Sequence, residues 1–144
     1  MSYFDENMHR DIIMDHISNP RNRDKVHAGY KEYTLKNPSC GDKITVYVKL
    51  ENDLIKDVTY NVEGCSICIS SASIMSDLLI GKTIEETDKI IENFNNMVTG
   101  NAYNEDLLQE AVSLKGVYKV PPRIKCATLG YKALLNAIGR DIDE

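Results

Sequence analysis

Along the first segment the apolar residues Met8, Ile12, Ile13 and Ile17 recur at helical spacing, with Asp5 ahead of them as a candidate N-cap and Asn19-Pro20 as the stop. A polar stretch runs from Asn19 to Lys31. The period then falls to two, in Tyr33 and Leu35, in Ile44, Val46, Val48 and Leu50, and in Ile55, Val58, Tyr60 and Val62. Glu51-Asn52-Asp53 joins the last two runs as an antiparallel hairpin would. Three strands in a meander are predicted.

From Cys65 onward Ile67, Ile69, Ala72, Ile74, Met75, Leu78 and Leu79 cover too many phases for a strand and predict a largely buried helix, which Gly81 ends. Thr83 followed by Glu86 is a capping box for a second helix through Ile90, Ile91, Phe94 and Met97, stopping near Gly100. Asn104 is a candidate cap for a shorter helix over Leu107, Leu108, Ala111 and Leu114. After the break at Pro121-Pro122, the residues Ala127, Leu129, Leu134, Leu135 and Ile138 predict a last helix. Strands first and helices afterwards imply an α+β fold, with helices packed on one face of a three-stranded antiparallel sheet. No repeat or linker divides the chain, so a single domain over residues 1–144 is expected.

A chain of 144 residues can bury a core without disulfide staples. Its formal charge of -5, without a dense Lys/Arg stripe, argues against a nucleic-acid partner. Residues 1–20 lack the basic and unbroken apolar regions of a secretory signal, and no apolar run approaches the ~20 residues needed to cross a bilayer. The expected location is cytoplasmic, where cysteines stay reduced and bind metals or do chemistry.

Three cysteines and one carboxylate stand at breaks in the hydrophobic pattern. Cys40 and Asp42 lie in Asn37-Pro38-Ser39-Cys40-Gly41-Asp42, between the first two strands. Cys65 follows Glu63-Gly64, and Cys126 ends Pro121-Pro122-Arg123-Ile124-Lys125. Alternate residues of an extended loop can face one side, so Cys-Gly-Asp offers a thiolate and a carboxylate to one ion. Cys65 and Cys126 are expected at helix N-termini, whose positive potential favours thiolates. Three sulfurs and one oxygen suit a tetrahedral zinc site, although Asp is an uncommon fourth ligand in structural sites. The competing reading is three separate, semi-buried thiols, the common fate of intracellular cysteines. His9, His16 and His27 all fall in the N-terminal part, away from these loops. Cys65-Ser66-Ile67-Cys68 is also a Cys-x-x-Cys at a helix start, which leaves open a redox module.

Four segments carry a resemblance: Met14-Asp15-His16 with Asn19-Pro20-Arg21-Asn22; Asn37 to Asp42; Gly64-Cys65-Ser66-Ile67 with Ser70-Ser71-Ala72-Ser73; and Arg123-Ile124-Lys125-Cys126-Ala127-Thr128-Leu129. In this order, over nearly the whole chain, they resemble the SufU/IscU family of iron–sulfur cluster assembly proteins. Lys125, where IscU-type scaffolds carry histidine, and the longer stretch from about residue 98 to 122 resemble the SufU branch. The resemblance implies a SufE/NifU-like (IscU-like) fold and zinc held by Cys40, Asp42, Cys65 and Cys126. It also implies that persulfide sulfur comes from a SufS-type cysteine desulfurase, passes through Cys40 as acceptor, and goes on to a SufBCD-type scaffold. A histidine of the desulfurase would take a zinc position and free Cys40. Such a protein is a sulfurtransferase acting with its partner rather than a stand-alone enzyme.

Arg123 is a candidate partner of Asp42 or of the persulfide, with a solvated loop arginine as the alternative. His16 and Arg21 either brace the first helix or meet a partner. Cys68 stands where the family usually has a non-cysteine residue, and Tyr131 where SufU-type sequences often carry Trp. Three other functions stay open: a scaffold on which an iron–sulfur cluster is transiently built, a structural zinc adaptor, and the Cys65/Cys68 redox module.

Overall fold

A computed structural model describes residues 6–24, 28–38 and 41–139. The element order is α1 (Glu6–Ser18), β1 (Lys31–Asn37), β2 (Asp42–Glu51), β3 (Leu54–Glu63), α2 (Ser66–Leu79), α3 (Ile84–Val98), α4 (Glu105–Leu108), a 3₁₀ segment (Gln109–Lys119) and α5 (Pro121–Ala137). The sheet is antiparallel with strand order β1-β2-β3, as the alternating pattern predicts. Leu35 lies opposite Ile44, and Val48 opposite Val58. Asn52 and Asp53 take positive φ in the two-residue turn, where short polar side chains tolerate the left-handed region. Ile55 is buried although it is out of phase with Val58, Tyr60 and Val62, because the register shifts between Lys49 and Leu50.

Ile44, Val46, Val48, Val58, Tyr60 and Val62 point to one face, where α2 and α5 cover them. Ser71 of α2 donates to the Ala127 carbonyl of α5 at 2.6 Å, tying the two covering helices together. The capping box opens α3 as expected: Thr83 Oγ1 accepts from Glu86 N–H, and Glu86 Oε1 accepts from Thr83 N–H. Tyr131 is fully buried and stacks on Phe94 with ring centroids 4.1 Å apart. Burial in this apolar stack pushes its phenol upward, away from ionisation.

Four details depart from the sequence pattern. Met8 is 45 % exposed and the buried residues of α1 are His9 and His16, while Ile12 and Ile13 of the predicted stripe are partly buried against the core, because the side that α1 packs on α2 and the 3₁₀ segment carries both histidines. Tyr33 is 41 % exposed, since the helices cover only the Leu35–Asn37 end of β1. The helix capped by Asn104 lasts only through Leu108, where Gln109 at φ +47° turns the chain into the 3₁₀ segment. The two prolines begin α5 rather than precede it, since a first turn has no need of their missing N–H groups. Asp5 and His27 lie outside the described residues.

His16 explains how α1 is held. Its Nδ1 lies 2.6 Å from Ser73 Oγ on α2, and its Nε2 lies 3.1 Å from Glu110 Oε1 on the 3₁₀ segment. Arg21 adds a backbone N–H bond to Ser73 Oγ at 2.8 Å and a guanidinium bond to Asp15 at 2.5 Å. Both residues brace the helix. His16→Ala removes a buried ring and its cross-link together, so a loss of about 2–4 kcal/mol is expected. Urea unfolding should show it as a lower midpoint at unchanged metal content.

Candidate metal centre

Asp42 is the first residue of β2 and pairs opposite Asn37, the last of β1. Its inward phase is that of Ile44 and Val46, so its carboxylate is carried to the covered face and is 2 % exposed. A buried carboxylate requires partners. One is the backbone N–H of Cys65, which donates to Asp42 Oδ1 at 3.0 Å; the Cys65 thiol lies 3.8 Å from Oδ2. Cys65 is the N-cap of α2, in extended conformation, and places its sulfur at the positive end of that helix.

Cys126 arrives from the other covering helix. It lies in the second turn of α5, since that helix begins at Pro121, and it is 1 % exposed. It therefore occupies an inner turn rather than the helix N-terminus expected from the prolines. Asn37 Nδ2 donates to its sulfur at 3.9 Å, and the thiol faces the Pro122 carbonyl at 4.0 Å. Candidate ligand atoms of Asp42, Cys65 and Cys126 all lie within 4.8 Å of one another. Residues more than eighty positions apart in sequence meet here because β2, α2 and α5 share one end of the sheet.

Two glycines make the cradle possible. Gly41 takes φ +77°, a left-handed conformation that lets the β1–β2 connection close, with its N–H bonded to the Asn37 carbonyl at 2.8 Å. Gly64 leaves room for the carboxylate: a Cβ there would sit 2.6 Å from Asp42 Oδ1 and 2.9 Å from its Cγ. The donor set of two thiols and a hydrogen-bonded carboxylate suits a borderline-soft divalent ion. These three residues could hold a metal.

Arg123 is exposed, one turn before Cys126. Its hydrogen bond to Cys126, with the charges of Cys65 and Cys126, holds the guanidinium above its ordinary range. Cys68 lies inside α2, is 1 % exposed and does not belong to this group. Cys65, Cys68 and Cys126 carry thiols, with no disulfide joining Cys65 to Cys68. Cys40 lies outside the described residues. Sequence reasoning gave no role to Asn37 or to Gly64, although each sits inside a segment it singled out. The signal available for Gly64 was a glycine directly before a candidate ligand.

The pattern described as the NifU-like N terminal domain matches residues 8–140. The chain belongs to that family. Among NifU-like relatives, the zinc-dependent sulfurtransferase SufU of Bacillus subtilis is 38% identical over 137 residues, which is 94% of this chain and 92% of that protein. The iron–sulfur cluster assembly scaffold protein IscU of Streptococcus pyogenes is 40% identical over 131 residues, 90% of this chain and 81% of that protein. The fold agrees. A crystal structure of a putative scaffold protein for the SUF system from Fervidobacterium islandicum has a TM-score of 0.84 at 33% identity, covering 89% of this chain and 94% of that one. Among the described residues no helix is long and apolar enough to cross a membrane.

Proposed function

We propose that this NifU-like protein is a zinc-dependent sulfur-transfer protein, with Cys40, Asp42, Cys65 and Cys126 as ligands and Cys40 as the sulfur acceptor. The observation that carries the reading is the buried Asp42 carboxylate, fixed by the Cys65 N–H within 4.8 Å of two cysteine sulfurs. The likeness to the Bacillus subtilis protein named as a zinc-dependent sulfurtransferase supports it. Zinc, when bound, would keep its cysteine ligands as thiolates and protect them from oxidation.

The chain's own residues then do the following. The Cys40 thiolate attacks the terminal sulfur of a persulfide on a SufS-type cysteine desulfurase. The new bond joins Cys40 Sγ to that sulfur, the donor's S–S bond breaks, and the electron pair leaves on the donor cysteine as thiolate. No oxidant is needed, because one persulfide replaces another. Arg123, beside the sulfurs, is placed to stabilise anionic sulfur during the exchange. The carried sulfur passes to an iron–sulfur scaffold of the SufBCD type.

A second reading is an assembly scaffold that holds a cluster on the same cysteines, favoured by the relatives named as scaffolds. Zinc content and desulfurase turnover, measured together, separate the two. Cys40→Ala is expected to reduce stimulation of the desulfurase to background, and Cys68→Ala to leave it intact. A Cys40→Ala variant that still stimulated fully would end the acceptor role. A stable cluster spectrum after anaerobic purification would favour the scaffold.

A further inference from the structure

Beside the metal centre runs a shallow groove of about 140 Å³ lined by Lys36, Asn37, Pro38, Lys125, Leu129 and Lys132. It is too small for a drug-sized ligand, whose pockets run to several hundred Å³. It has room for one apolar side chain over Leu129 and Pro38. Three lysines are among its lining residues, and among the described residues no carboxylate lines it.

The cations have no local structural explanation. Lys36 lies directly opposite Lys43 across β1 and β2, a like-charge pair that costs stability in an antiparallel sheet. Lys43 faces Glu63 on its other side, yet no ion pair joins them. Among the described residues, none of the ion pairs involves Lys36, Lys43, Lys125 or Lys132. Lys125 and Lys132 stand two turns apart on α5 with Leu129 between them, so one helix face presents charge, apolar contact and charge. All this lies in a chain of net charge -5. Asn37 links the groove to the metal centre, because it lines the groove and donates to Cys126 Sγ at 3.9 Å.

We propose that this groove is the docking site for an acidic, apolar-tipped segment of the sulfur-delivering protein, with Lys36, Lys125 and Lys132 setting its specificity. The inference rests on the sulfur-transfer reading above. Carboxylates of the partner neutralise the unpaired ammoniums, an apolar side chain covers Leu129 and Pro38, and the donor persulfide is brought to the end of the sheet where the cysteines meet. Charged contacts of this kind chiefly set association rate and partner choice. A nucleic acid is the poorer fit, since the remaining surface is acidic and repels phosphate.

The test titrates a cysteine desulfurase with wild type, with Lys36→Glu/Lys132→Glu, and with Lys49→Glu/Lys56→Glu at the far end of the sheet as a control of equal charge change. Turnover and binding are read at several salt concentrations, with metal content checked in each protein. The groove variant should raise the half-saturating concentration about tenfold or more and flatten the salt dependence, with maximal stimulation kept. The control should stay near wild type. Equal weakening in both variants would overturn the inference, by assigning the effect to net charge. So would wild-type affinity in the groove variant, or displacement of the desulfurase by an equimolar RNA oligonucleotide. If the charge reversal lost metal, Lys36→Gln/Lys132→Gln would decide, and unchanged salt dependence there would overturn it. A wild-type chain that never stimulated the desulfurase would instead remove the sulfur-transfer reading, and this inference with it.

Discussion

Gly64→Ala is expected to weaken metal binding by about tenfold to hundredfold, the range for disturbing groups that orient a ligand. The added methyl would lie 2.6 Å from Asp42 Oδ1, far inside contact distance. Asp42 cannot move aside cheaply, because the same oxygen accepts the Cys65 N–H and the residue is 2 % exposed. Rotating the carboxylate away would leave that N–H without its acceptor and move the Asp42 oxygens away from the two sulfurs. Competition against a chromophoric zinc chelator measures the change. Gly116→Ala is the control, since a Cβ there meets nothing within 4 Å. Unchanged affinity in Gly64→Ala would mean that the Asp42 position seen here is not the one that binds metal.

Stripping the metal should lower the melting temperature by on the order of 10 °C. The figure follows from about 4 kcal/mol of stabilisation at a thousandfold excess of free metal over Kd, and about 2–4 °C per kcal/mol for a domain of this size. Ligands brought from β2, α2 and α5 meet only in the folded chain, so binding energy becomes folding energy. The stripped protein should nevertheless stay folded at 25 °C with its far-ultraviolet circular dichroism largely retained. Its core of Ile44, Val46, Val58, Tyr60, Met75, Leu79, Phe94 and Leu134 is buried independently of the site. Asp42→Ala should start from the lower melting temperature and respond little to chelator. A wild-type melting curve unmoved by chelator would count against the metal centre.

The strands and the two long helices after them were legible because their signals are local. Alternation in Ile44–Val48, the Asn52-Asp53 turn and the Thr83/Glu86 capping box each act within a few residues. The first helix was legible as a helix but not in its orientation. Its apolar stripe of Met8, Ile12, Ile13 and Ile17 predicts the inward side, yet Met8 is exposed and Ile12 and Ile13 are only partly buried, whereas the bonds from His16 to Ser73 and Glu110 turn the histidine side inward. A polar cross-link between distant segments leaves no periodic trace. The 3₁₀ segment was hidden for a related reason, since its apolar spacing is compatible with an α-helix and one residue, Gln109, breaks it.

The candidate site divides the same way. By itself the sequence determined which atoms were available: thiols at Cys40, Cys65 and Cys126, a carboxylate at Asp42, and the glycines Gly41 and Gly64 beside Asp42 and Cys65. Those follow from composition and from breaks in the pattern, which need no knowledge of packing. Only the tertiary structure decided that Asp42 faces inward, that Cys126 reaches the site from the second turn of α5, and that Gly64 makes room for the carboxylate. It also decided that Lys36 and Lys132, on different elements, share one groove. Convergence of this kind is set by how β1, β2, α2 and α5 pack at one end of the sheet, and packing joins residues that no local sequence pattern connects.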